Sequence, residues 1–286
     1  MAGDENTDHI LFIYITAYSN AIHEGIEMIE KNGKLIKRVK KVRSDKGEIR
    51  VTKRDLGCIA WIAHQYAARG DQIQLLLTRY PDPQHPFQED VASESTTREQ
   101  ISRWVRAGWV VYKRVLANGP GWAFVTRAGL HLVGLDQVYV ARPPSPKRLE
   151  HIFAVNQVRL WMDEEHQYPW MSERLYKASL NLKRGESSGP IPDAILQLDS
   201  GKVALEIQLS YLKPHEWLEK LSELMRHTVS TGLRYERAFP EVWVYVPTET
   251  MKKAGDEARV KLDDPDRVEI IVEDDLLIED AENSWS

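Results

Sequence analysis

Cysteine is almost missing from this chain: Cys58 is the only one in 286 residues, which excludes a disulfide framework and a cysteine-rich zinc site. Long apolar runs are missing as well. The longest near the N-terminus, residues 10–15, has the length of a strand, so no membrane segment is expected. The residues before it carry acids and neither Lys nor Arg, which argues against a secretory signal and for a cytoplasmic location. Three chemical motifs are also lacking: a Gly-Lys-Ser/Thr phosphate loop, a Gly-x-Gly-x-x-Gly turn after a strand, and a His-Glu-x-x-His helix. Without them, P-loop hydrolases, dinucleotide-dependent oxidoreductases and zinc proteases of that helix type drop out.

What is present is an ordinary globular composition, 42% apolar and 28% charged, on a chain long enough for two domains with separate cores. The formal net charge of −5 is unevenly placed, with residues 34–53 strongly basic and residues 263–282 strongly acidic. Lys34, Lys37, Arg38, Lys40, Lys41, Arg43 and Lys46 are dense enough to bind phosphate, or to form a solvated face. Before them, Ile22, Ile26 and Ile29 suit a helix over residues 20–31.

Residues 51–134 carry a recognisable order. Leu56, Ile59, Ala60, Ala63 and Ala67 recur at helical spacing with Gly70 as a stop, and residues 72–80 suit a second short helix. After the proline-rich residues 81–86, Thr96 and Glu99 form a capping box for a third helix that Gly108 ends. On that helix Ile101, Trp104 and Val105 are expected inward, and Ser102, Arg103 and Arg106 outward. Residues 109–116 and 122–126 then flank Asn118-Gly119-Pro120-Gly121 as a β-ribbon. Three helices followed by a ribbon is the order of a winged helix-turn-helix, whose third helix reads the major groove. Arg98, Ser102, Arg103 and Arg106 on the helix, with Lys113 and Arg114 on the wing, are the candidate DNA contacts. The alternative is the same shape used for protein contacts. Thr126-Arg127-Ala128-Gly129 and residues 130–135 are expected to form a closing helix that packs against the first.

Residues 141–146, Ala-Arg-Pro-Pro-Ser-Pro, form a stiff joint. Beyond it, residues 147–165 suit a helix with Leu149, Ile152, Val155 and Met162 inward; His151 near its start reads as a packing or capping residue. Residues 170–176 read as a strand carrying Glu173, a third candidate acid. The stretch that organises this half is residues 189–213. Ile191, Ala194, Leu196 and Leu198 form one apolar run, Val203, Leu205, Ile207 and Leu209 alternate in a second, and Asp199-Ser200-Gly201 turns between them. Antiparallel pairing then sets Asp193 beside Glu206 at the open end of the hairpin. Like charges repel there, and the usual compensation is a hard cation such as Mg²⁺, held by one or two carboxylates with waters and a phosphate. An ordinary hairpin with solvated carboxylates is the bland alternative. Gln208 shares the face of Glu206. A helix opened by Pro214 follows, with Trp217, Leu218, Leu221, Leu224 and Met225 as its apolar stripe, then strands over residues 241–246 and 268–272.

Pro192-Asp193, then Glu206-x-Gln208, resembles the PD-(D/E)xK nuclease superfamily, whose members bind Mg²⁺ through the Asp and the Glu; the third position there usually holds Lys, where this chain has Gln. A wider pattern resembles the replication-relaxation family of actinobacterial plasmids and other mobile elements. It comprises Thr126-Arg127-Ala128-Gly129, the proline-rich joint, His151-x-x-Ala154-Val155-Asn156-x-x-Arg159, Ser172-Glu173-Arg174 and Pro192-Asp193, and it spans residues 51–247. The fold class expected is α+β / α/β: an N-terminal winged helix-turn-helix joined by a Pro-rich linker to a PD-(D/E)xK restriction-endonuclease-like αβββαβ domain. Residues 1–50 would be an extension with a basic segment, 51–140 the DNA-binding domain, 141–147 the linker, 148–272 the nuclease-like domain and 273–286 an acidic tail. The resemblance implies double-stranded DNA as partner, with replication or transfer proteins besides, and winged helices commonly act as homodimers on paired half-sites.

Two functions of different class follow. In the first, a metal-dependent endonuclease, Asp193 and Glu206 hold Mg²⁺ or Mn²⁺ and Gln208 positions the attacking water. Glutamine cannot supply the positive charge of the usual Lys; Lys213 or Lys220 could, although both read first as surface lysines. In the second, a non-catalytic DNA-binding regulator or replication accessory protein keeps a degenerate nuclease fold as a scaffold.

Overall fold

A computed structural model of the chain describes residues 27–31, 34–38, 49–80, 92–115, 119–165, 168–180, 190–226, 228–231, 234–237 and 239–277. The expectations for residues 1–26, for Lys40, Lys41, Arg43 and Lys46 of the basic run, and for residues 81–86 and 278–286 lie outside them. Helices and sheets are mixed throughout, and the chain divides into two compact units between Pro146 and Lys147. Among the described residues no helix is long and apolar enough to cross a membrane.

In the N-terminal unit, β1 (Glu27–Lys31) and β2 (Lys34–Arg38) pair antiparallel with Ile29 opposite Ile36. This corrects the last part, residues 27–31, of the helix expected over residues 20–31, because an apolar run this short fits either period and the pairing decides. Helix α1 (Lys53–His64) starts at a capping box in which Asp55 N donates to Thr52 Oγ1 and Thr52 N to the Asp55 carboxylate. It is buried from Gly57 to Ala63. A two-residue strand, β3 (Ala68–Arg69), precedes α2 (Gly70–Arg79). Gly70 is therefore no stop; it is the first residue of α2, and its N–H donates to Gly121 O at 2.9 Å.

Helix α3 (Glu94–Arg106) starts one turn earlier than Thr96 suggests, because Ser93 is the cap: its Oγ accepts from Thr96 N at 3.2 Å. Its end is as expected. Gly108 has φ +75°, Gly108 N donates to Val105 O and Trp109 N to Trp104 O, both at 3.0 Å, which is a Schellman closure that favours glycine. Strands β4 (Val110–Lys113) and β5 (Trp122–Val125) then pair antiparallel, and β3 lies on the other side of β5. The short helix α4 (Arg127–Leu132), capped by Thr126, packs on α1.

Residues 140–143 and 145–147 are exposed, and Pro143, Pro144 and Pro146 offer no N–H to a sheet ladder. Limited proteolysis is expected to cut within residues 141–145 and leave two folded fragments, seen as protected amides in each by hydrogen exchange. Loss of protection throughout the N-terminal fragment would show that the two units share a core.

The C-terminal unit has a sheet at its centre. Helix α5 (Pro146–Glu165) leads to β6 (Trp170–Ser172), α6 (Glu173–Ser179), β7 (Ala194–Leu198), β8 (Gly201–Ile207) and α7 (Pro214–Arg226). A hairpin, β9 (Thr228–Thr231) with β10 (Arg234–Arg237), is followed by β11 (Glu241–Val246), α8 (Glu249–Arg259) and β12 (Val268–Val272). The five-stranded order is β12-β11-β8-β7-β6; β11 runs parallel to both β8 and β12, and the other pairs are antiparallel. The strand expected over residues 170–176 breaks in two, because Ser172 caps α6 by accepting from Leu175 N. Helices α6 and α8 and the β9–β10 hairpin are additions to the expected αβββαβ order.

Alternation assigns the two faces. Val203, Leu205 and Ile207 pack with Ala154, Val155, Val158 and Met162 of α5, so Glu206, between them, faces the side of α7. Leu276 also enters that cluster, so the stretch expected to be an acidic tail begins with a buried anchor. The turn at Gly201, φ +134°, closes the β7–β8 hairpin where Asp199-Ser200-Gly201 places it.

Candidate functional site

Register alone puts three acids in line across the sheet. Ser172 pairs with Ala194 and Ala194 with Leu205, so one residue further Glu173 just past β6, Asp193 just before β7 and Glu206 on β8 stand at successive positions. Glu173 N donates to Asp193 O at 2.9 Å, which continues the ladder past the strand end. The adjacency of Asp193 and Glu206 is that expected from the hairpin.

Each carboxylate meets a cation or an N–H. Asp193 Oδ1 lies 2.7 Å from His151 Nε2 on α5, and Ile207 N donates to Asp193 Oδ2 at 2.9 Å. Glu206 Oε1 lies 2.7 Å from Lys220 Nζ on α7. Lys220 Nζ also donates to Gln208 Oε1 at 2.6 Å. Glu173 accepts from Arg148 Nη2 at 2.8 Å and from Lys177.

The electrostatics follow from these contacts. Burial first, then the Asp193 charge, pushes Glu206 up to about 7, and Lys220 and His151 only partly offset this. Burial by itself would lower His151, but its hydrogen bond to Asp193 and the charges of Asp193, Glu206 and Glu173 raise it. Burial works against an ionised Glu173, yet Lys177 and Arg148 outweigh it and hold that carboxyl below its ordinary value.

Three expectations change here. His151 is neither a packing nor a capping residue; it carries Asp193. Lys220 is not a surface lysine but reaches Glu206 and Gln208, whereas Lys213 is exposed and bonded through its backbone, its N–H donating to Glu216 and its C=O accepting from Trp217 N. Gln208 is 7% exposed and does not face open water: its Nε2 donates to Ser210 O at 2.7 Å and to Ser210 Oγ at 2.9 Å. Sequence reasoning missed Arg148 and His151, although they lie one turn apart at the start of α5, and Lys177, one turn after Glu173.

Among the described residues no three or more His, Cys, Asp and Glu side chains group as a metal cage. Mg²⁺ needs no such cage, being content with one or two carboxylates plus waters and a phosphate. Asp193 and Glu206 fit that donor set as hard oxygens at neighbouring positions, with a repulsion that a dication would relieve.

The second candidate surface is α3 with its ribbon. Arg98, Ser102, Arg106, Lys113 and Arg114 are exposed as expected, with Arg98 bonded to Glu94 at 3.0 Å. Two residues exchange places. Val105, expected inside, is exposed. Arg103, expected outside, is drawn in to the fully buried Asp55, contacting it through both terminal nitrogens, with Nη1 to Oδ1 at 3.0 Å. Cys58 is buried in α1, its thiol pushed up by burial and by Asp55, so it is no nucleophile. No family profile, no curated protein and no solved structure matches the chain.

Proposed function

We propose that this protein is a DNA-binding, metal-dependent endonuclease of a plasmid or mobile element, related to the replication-relaxation family and working in the cytoplasm. Its N-terminal unit acts as a winged helix-turn-helix on double-stranded DNA, as a homodimer on paired half-sites. Its C-terminal unit acts as a PD-(D/E)xK-type nuclease, and replication or transfer proteins are its natural neighbours. The observation that carries this reading is the pair Asp193 and Glu206, set side by side at the end of the β7–β8 hairpin with Glu206 pushed up to about 7. The mixed sheet, with β11 parallel to β8 after the intervening α7, supports it. For the N-terminal unit, support comes from three helices leading directly into the β4–β5 ribbon, with Arg106, Lys113 and Arg114 exposed.

Asp193 and Glu206 would hold Mg²⁺ or Mn²⁺, which when bound supplies positive charge at the phosphate and a water of lowered pKa. In the net reaction the water oxygen bonds to phosphorus, one P–O ester bond breaks, and a proton passes to the departing alkoxide. His151 and Ile207 N–H fix both oxygens of Asp193, so the carboxylate is oriented before any ligand arrives. The second reading, a regulator with an inert nuclease fold, is favoured by the same contacts: His151 and Lys220 already neutralise both carboxylates.

Plasmid DNA incubated with the full chain is expected to be nicked or linearised with Mg²⁺ or Mn²⁺ and to stay intact in EDTA. Absence of both cleavage and metal binding by calorimetry would leave the regulator. Replacing Arg106, Lys113 and Arg114 together with Ala is expected to weaken DNA binding about tenfold or more and to flatten the slope of log affinity against log salt by roughly 2 to 3. Unchanged affinity at moderate salt would show that this face is not on DNA.

A further inference from the structure

We propose that Lys220, carried on α7, is the cation this site uses on the scissile phosphate, and that Gln208 is the residue that positions it. The assignment rests on the nuclease reading. It means that the positive charge usual at the motif's third position has moved from the strand to the helix beside it, and that the glutamine left on the strand has become its holder.

The amide of Gln208 can have only one orientation. Its Nε2 donates to both oxygens of Ser210, its backbone N–H donates to Tyr245 O at 2.9 Å, and the side chain is 7% exposed. The Oε1 that remains faces Lys220 Nζ at 2.6 Å. Both amide hydrogens of Nε2 are directed to Ser210, so Gln208 offers Lys220 an acceptor and has no hydrogen left for a water or a phosphate oxygen. A side chain in that state complements an ammonium; it does not imitate one.

Lys220 is placed as this role requires. Trp217, Leu221 and Leu224 are buried at its i−3, i+1 and i+4 positions, which fixes the rotation of α7 and aims Lys220 at the sheet. Its side chain is 27% exposed and touches Glu206 and Gln208 at once. An ammonium has three donors, so the third is left for an oxygen of a phosphate bound at Glu206. Glu206 on β8 and Gln208 just past its end thus hold the charge from two sides. Lys213 has no such placement, being exposed at the start of α7.

Lys220→Met keeps the length of the stem and removes the charge. At saturating Mg²⁺ and DNA its turnover is expected to fall roughly 100-fold or more, the usual loss for one stabilising group at the transition state. DNA affinity in Ca²⁺ should weaken by no more than about tenfold, the loss of one phosphate contact among several. Mn²⁺ affinity without DNA should be equal or tighter, since a competing cation has gone. A charge that served only to neutralise Glu206 would be replaced by saturating metal, and turnover would then be normal. Adding Gln208→Lys to Lys220→Met returns the charge to the strand and should restore most of the turnover; Gln208→Leu alone should give an intermediate loss. Circular dichroism shows whether each variant is folded, and Lys220→Gln serves if Lys220→Met is not. A folded Lys220 variant that turns over at the wild-type rate removes the assignment alone, as does a loss that Gln208→Lys fails to repair in a folded double variant. A wild type that neither binds Mn²⁺ nor cuts DNA removes the nuclease reading and the assignment together.

Discussion

Glu206→Gln is expected to remove metal binding and metal-dependent cleavage together, and to flatten the pH dependence of stability in the C-terminal unit. Burial first and the Asp193 charge second raise Glu206 from 4.5 to about 7. A carboxyl raised on folding holds its proton more tightly in the folded state, so folding is unaffected below about 4.5, loses stability as pH rises towards 7, and bears the full cost above it. That cost is on the order of 3 kcal/mol, at 1.36 kcal/mol per pKa unit. His151 acts with the same sign: its contribution is complete below its ordinary 6.5 and is lost as pH rises through its higher folded value. Glu173 acts oppositely at the acid end, where its pairing with Lys177 and Arg148 is lost as pH falls below 4.5. In EDTA the wild type should therefore lose stability between pH 5 and pH 8, and Glu206→Gln should keep only the part owed to His151. Mn²⁺ added at pH 8 should stabilise the wild type and not the variant. Chemical denaturation at pH 5, 6.5 and 8 measures this, and equal slopes in the two proteins would sink the electrostatic account.

That pair of carboxylates was legible in the chain because a half-buried strand writes its register in period two. Val203, Leu205 and Ile207 alternate, Asp199-Ser200-Gly201 fixes the turn, and the opposition of Asp193 to Glu206 follows by counting. The partners were less so: Lys220 stood only as a candidate beside Lys213 and His151 not at all, since both arrive on helices whose rotation is set by packing. Nor was α8, a helix rich in Lys and Glu whose buried stripe is only Met251, Ala254, Gly255 and Ala258. Those small residues are what the packing requires: a Cβ on Gly255 would stand 2.5 Å from Ile270 Cδ1. Glu173 was found as an acid and misplaced on a strand, because Trp170–Ser172 is too short to show a period before Ser172 caps a helix.

Arg103→Ala is expected to destabilise the N-terminal unit by about 3–5 kcal/mol, the range for removing one partner of a buried ion pair. Asp55 is fully buried, and its carboxylate is held by Thr52, by Gln100 Nε2 and Trp104 Nε1 at 2.8 Å each, and by Arg103. Among the described residues Arg103 is the cation paired with it, and Arg103 Nη2 also donates to Arg50 O at 2.7 Å. The alanine variant keeps every neutral donor and leaves an uncompensated charge in a core built from α1 and α3. Arg103→Lys should lose less, since one ammonium reaches Asp55 but cannot make the two-pronged contact. The same pairing explains why Val105 is turned out: the helix face that α3 buries is set by Ile101, Trp104 and Arg103 around Asp55, and hydrophobicity at one position does not override it. DNA binding by Arg103→Ala should fall in proportion to the folded fraction and match wild type where the unit is folded, whereas Arg106→Ala should weaken binding at unchanged stability. A thermal melt run beside a binding titration separates the two. Arg103→Ala with wild-type stability and weakened DNA binding would return Arg103 to the DNA-contacting face.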